Sequence, residues 1–153
     1  PAGARQWRRA DLAGSGLVGD GDQRLLTDAA LGRGYVAVGA VRTAAGFALR
    51  SAVSADGTTW AAGGELPGRP LPGGGRPVAD AAPAPGGGVV AAAATTGGAA
   101  LWVSRDGRAW APEAVPGPAG GATAVVLGPG ADRLVVVVQT AAGPRLHLGR
   151  PAR

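Results

Sequence analysis

The run Ser54-Ala55-Asp56-Gly57-Thr58-Thr59-Trp60 returns as Ser104-Arg105-Asp106-Gly107-Arg108-Ala109-Trp110, a spacing of 50 residues. Self-similarity at a fixed period of this length marks repeat architectures, in which each copy is one supersecondary unit that buries its apolar face only against its neighbours. Trp7 precedes Trp60 by a similar interval and is followed by comparable residues, so one end of the unit is visible three times.

Inside the unit, short apolar runs alternate with glycine-rich turns, and no window of helical period competes. The spacing predicts strands over 25–30, 35–41, 47–53 and 58–62 in one copy, and over 78–82, 89–95, 99–104 and 108–111 in the next. A third copy supplies strands over 123–127, 133–140 and 145–148 and lacks its fourth. Residues 5–10 around Trp7 read as a fourth strand without the three that should precede it, so the N-terminal strand is expected to complement the last copy. The expected division is therefore an outer strand in 1–12, full units in 25–66 and 77–115, and three strands of an incomplete unit in 122–150, all within one 1–153 segment.

Composition constrains the partners more than the fold. Charged residues are only 16% of the chain, which argues against charge-driven disorder, but 29 Gly and 13 Pro approach low complexity, so periodicity has to decide. Four of the six aromatic residues are Trp, and these carry much of the large-side-chain packing. The net charge of +5 comes from arginine alone, with no Lys, Asn, Ile or Met, a pattern of GC-rich coding. The arginines are scattered and only Arg8-Arg9 are adjacent, so no nucleic-acid partner is expected. Absence of cysteine excludes disulfides and thiolate metal sites. The strongly apolar stretches 89–94 and 134–138 are far too short for a membrane-spanning helix.

Asp-Gly between two strands is a hairpin signal: Gly accepts positive φ, and the Asp carboxylate bonds nearby backbone amides. Ser54 and Ser104 can satisfy the other side of the turn, and the following Trp is expected on the outermost strand. Turn chemistry alone thus explains Ser54, Asp56, Gly57, Trp60, Ser104, Asp106, Gly107 and Trp110, with Trp7 keeping only the aromatic. Ser-x-Asp-Gly-x-x-Trp resembles the Asp-box, or BNR, repeat of sialidase-like β-propellers, whose usual form separates Asp from Gly by one residue. The resemblance implies an all-β propeller segment of about three four-stranded antiparallel blades. Closed propellers need about four to eight blades, so closure calls for further blades of a longer chain or a homodimer. It also implies an extracellular or cell-envelope setting.

No catalytic set assembles. A sialidase-like glycosidase needs arginines for the substrate carboxylate, an acid and a Tyr nucleophile supported by Glu. Tyr35 is the only Tyr, while Glu65 and Glu113 fall in matching connectors and read as solvated loop residues. His147, the only His, alternates with Leu146 and Leu148 and reads as a partly exposed strand residue. Asp20-Gly21-Asp22 lacks the further oxygen ligands of a calcium loop. No metal or cofactor is expected. The expectation is a non-catalytic propeller module for protein or carbohydrate ligands, or a structural one. The alternative is a piece of a glycoside hydrolase with its catalytic blades elsewhere. Arg33 and Arg42, at turns, are the candidate contact residues.

Overall fold

The computed structural model describes residues 9–18, 23–68, 71, 79–115, 122–129 and 133–149. Trp7 and Asp20-Gly21-Asp22 lie outside the described residues. Among those described the chain is all-β, in three antiparallel sheets whose strands follow one another in sequence. Sheet 1 is β1 (Gln23–Ala30), β2 (Tyr35–Thr43), β3 (Gly46–Ser54) and β4 (Ala61–Glu65). Sheet 2 is β5 (Ala79–Pro83), β6 (Val89–Thr95), β7 (Gly98–Ser104) and β8 (Ala111–Glu113). Sheet 3 holds β9 (Ala122–Pro129), β10 (Leu134–Thr140) and β11 (Gly143–Gly149), and no sheet closes on itself. None of the described residues forms a helix long and apolar enough to cross a membrane.

One expectation needs correction. The fourth strands begin after the tryptophan, at Ala61 and Ala111, because the amides of residues 58, 59, 108 and 109 are taken by the Asp56 and Asp106 side chains and are lost to the ladder. Trp60 and Trp110 therefore precede the outer strands instead of lying on them. Of the expected N-terminal strand over 5–10, only residues 9 and 10 are described, and neither pairs with sheet 3. The Asp11 N–H donates to the Thr58 carbonyl (2.7 Å) and the Trp60 N–H donates to the Asp11 carbonyl (3.2 Å), which seats the segment on sheet 1.

The sheets stack with a constant sense, set by the alternation of side chains along each strand. The forward face of sheet 1 (Val36, Val38, Ala40, Phe47, Leu49) packs on the rear face of sheet 2 (Val89, Ala91, Ala93, Trp102). The forward face of sheet 2 (Val90, Ala92, Leu101) packs on the rear face of sheet 3 (Leu134, Val136, Val138). The middle strand β6 is buried along its whole length, and alanine at its centre leaves room for sheets on both sides. The first strands lie side by side, β1 by β5 and β5 by β9. There the Asp80 carboxylate of β5 accepts the Leu127 amide of β9 (2.7 Å). Trp102, 3% exposed, donates its indole N–H to the Pro67 carbonyl (2.6 Å) in the connector leaving sheet 1.

Ser51 clamps sheet 1 to sheet 2. Its hydroxyl accepts the Gly64 amide (2.8 Å) and the Trp110 indole N–H (3.0 Å), and donates to the Gly107 carbonyl (2.7 Å). The side chain is 2% exposed, so water cannot replace it. Ser51→Ala should therefore cost about 1–3 kcal/mol, the price of stranding buried polar groups, read as a lower urea midpoint with an unchanged m value.

Candidate functional site

At one end of the stack each full sheet carries a seven-residue loop built from the repeated motif. The Ser54 Oγ accepts the Gly57 amide (2.9 Å) and donates to Asp56 Oδ1 (3.1 Å). Asp56 Oδ1 also accepts the amides of Thr58 (2.8 Å) and Thr59 (2.9 Å), and the Trp60 indole N–H donates to the Gly57 carbonyl (3.2 Å). Ser104, Asp106, Gly107 and Trp110 repeat each of these bonds. Gly57 and Gly107 take φ of 76° and 71°, the left-handed region that L side chains avoid. A Cβ at Gly107 would also press into Val36 and Val53 of the preceding sheet.

The loop amides stabilise the carboxylates. Thr59 first and then Thr58 hold Asp56 well below the ordinary aspartate value of 3.8, and Arg108 first and then Ala109 hold Asp106 below it. Both groups are tied into the turn as anions, which makes them poor proton donors.

Between the loop ends of sheets 1 and 2 lies an open groove of about 590 Å³. The β1–β2 turn, closed by a bond from the Leu31 amide to the Gly34 carbonyl (2.7 Å), presents Arg33 on one wall. The loop of sheet 2 presents Arg105, Asp106 and Arg108 on the other. Arg108 also donates to the Ala62 carbonyl (3.0 Å), tying the walls together. Among the described residues, no hydrogen bond holds the exposed side chains of Arg33 and Arg105. A second groove of about 1140 Å³ repeats the first on the sheet 2 loop, but sets Arg105 alone against Asp106 and Glu113. Three arginines against one aspartate make only the first groove a cationic one.

Arg33 and Arg42 are not brought together. Arg33 lies in the β1–β2 turn and Arg42 near the far end of β2, where its guanidinium lies 4.8 Å from the centroid of the Phe47 ring, across the ladder. Arg105 and Arg108 were missed because they occupy the variable positions of the motif, which read as turn filler. Their signal is that the same loops carry Ala55 and Thr58 in the other copy. Tyr35 opens β2 and is 42% exposed. Glu65 and Glu113 end β4 and β8 instead of lying in loops, and Glu65 stands 4.0 Å from Arg50 on an exposed surface. His147 is half-buried on the face it shares with Val136 and Leu127, opposite to Leu146 and Leu148. No group of His, Cys, Asp or Glu among the described residues could hold a metal ion.

Comparison with protein families, curated proteins and solved structures finds no match.

Because the folded values of Asp56 and Asp106 are lowered, their contribution to stability is full above the ordinary value of 3.8 and is lost as pH falls below it toward the lowered values. The melting temperature should fall over that acid range. Asp56→Asn should melt lower at neutral pH and show a shallower acid slope, as followed by circular dichroism.

Proposed function

We propose that the chain is a non-catalytic β-propeller module that holds an acidic glycan in the groove between its first two sheets. The observation that carries this is the convergence of Arg33, Arg105 and Arg108 on one open cleft, with two of the three guanidinium groups held by no hydrogen bond among the described residues. Guanidinium offers a planar fork of donors that matches carboxylate and sulfate oxygens. A shallow, solvent-open cleft suits an extended ligand better than a small enclosed one. The propeller reading is supported by three meanders stacked face to face, by the neighbouring first strands β1, β5 and β9, and by the likeness of the loop to an Asp-box. An exported or envelope protein would meet such a ligand. The hydrolase reading finds little support in this groove, since its one carboxylate, Asp106, is occupied by the amides of its own loop.

The test is calorimetric titration with acidic and neutral oligosaccharides of equal length. Acidic chains should bind and weaken with added salt. Arg33→Ala with Arg105→Ala should reduce affinity about tenfold or more, the size expected for lost charge-assisted bonds. Equal binding of neutral chains, or a double variant that binds as tightly, would refute the proposal.

A further inference from the structure

The two outermost faces of the stack are the two halves of the contact already made twice inside it. The ladders align the three sheets: Tyr35 pairs with Ser54, Val89 with Ser104 and Leu134 with Gly149, each at the same end of its hairpin. On this alignment Leu146 of β11 matches Leu101 and Ser51, and Leu148 matches Val103 and Val53. Leu101 and Ser51 are 4% and 2% exposed, because the next sheet covers them. Leu146 and Leu148 are 63% and 59% exposed, and half-buried Val135 and Val137 stand directly across from Leu148 and Leu146. This is the forward face of sheet 3.

The rear face of sheet 1 shows the complementary gap. Tyr35 is 42% exposed, whereas its counterparts Val89 and Leu134 are 0% and 3% exposed beneath the preceding sheet. Part of that rear face is already covered by residues 9–18, and their position is informative. The Asp11 amide bonds the carbonyl of Thr58, whose counterpart is Arg108. It is at the Arg108 carbonyl that the outer strand β4 passes sheet 2, with Gly64 in contact so close that no Cβ would fit. Leu17 then packs with Trp60, Ala37 and Ala52, as Leu66 packs in the cluster that includes Trp110. Residues 9–17 thus stand on sheet 1 where β4 and its continuation stand on sheet 2. Sheet 3 is short of that outer strand: β3 pairs with β4 and β7 with β8, but among the described residues nothing pairs with the outer edge of β11.

We infer that the forward face of sheet 3 docks on the rear face of sheet 1 of a second copy of this chain. Strands β9–β11 of one copy supply three strands, and the segment around Asp11 of the other supplies the fourth. The occupant is a second copy because its first sheet already presents both requirements, the exposed Tyr35 position and an outer strand seated in place. Two such contacts close a pair of copies into six sheets, within the range of closed propellers; Tyr35 also lines the cationic groove, so association is read without added ligand.

The test uses light scattering after size exclusion across a concentration series. The 153-residue chain should run at twice its mass. Leu146→Glu with Leu148→Glu should weaken association about a hundredfold or more, as expected for losing two buried leucines, while keeping its far-ultraviolet spectrum, since both side chains are exposed in the single chain. Tyr35→Glu should do the same from the other side. Mixing the two variants should restore a pair, because the first keeps its rear face and the second its forward face. A chain that stays monomeric at every concentration overturns the inference. So does a Tyr35→Glu chain that pairs with itself, which would mean contact between like faces, or a mixture that stays monomeric.

Discussion

The stack depends on a close approach of backbones: the Gly107 and Arg108 carbonyls in the loop of sheet 2 press on Gly63 and Gly64 of the outer strand of sheet 1. Glycine at 63, 64 and 107 makes this approach possible, and the Ser51 hydroxyl satisfies the polar groups trapped there. Polar groups sealed from water must find partners, so the loop is built to a fixed shape before it docks. Asp56 and Asp106 fulfil that role by bonding successive amides within their own loops. The repeated motif therefore does two things at once, finishing one hairpin and presenting its back to the neighbouring sheet.

The cationic groove is a consequence of this docking. Because the loop of sheet 2 sits beside sheet 1, its variable positions face the β1–β2 turn across a cleft. Arg108 spans to the Ala62 carbonyl across the cleft, while Arg33 and Arg105 project from the turns on either side. The second groove has the same construction and the opposite balance of charge, so the charge of each cleft is written in residues that the loop geometry does not need.

Much of the fold was legible because its strands are local. Each turn joins neighbours in sequence, and the 50-residue spacing of Ser54-x-Asp56-Gly57 and Ser104-x-Asp106-Gly107 marks the unit without tertiary information. A second repeated signal went unread at the other end of the hairpins. Thr43, Thr95 and Thr140 each donate a hydroxyl hydrogen bond to the carbonyl of the glycine three residues on, at 46, 98 and 143. That pattern marks sheet 3 as well, which carries no copy of the Ser-x-Asp-Gly-x-x-Trp motif. The starts of β4 and β8 were misread because periodicity does not show which amides a carboxylate will claim. Arg42 stands apart from Arg33 for another reason: the strand residues 35–41 separate the two, a distance that a list of turn residues conceals. Arg105 and Arg108 needed the docking of one sheet on another, which no local pattern encodes.

The constant sense of stacking bears on how such a chain could change length over evolutionary time. Every internal joint sets a forward face on a rear face, and the middle sheet carries both. Duplicating the DNA for one 50-residue unit would therefore create a joint whose two surfaces have already been selected to fit each other. Deleting one would rejoin surfaces of the same kind. Strand order within a sheet would be untouched in either case, because no strand crosses from one sheet to another. The architecture can be counted up or down in whole units, and the residues that then diverge most freely are those of the loop, where the two copies already differ.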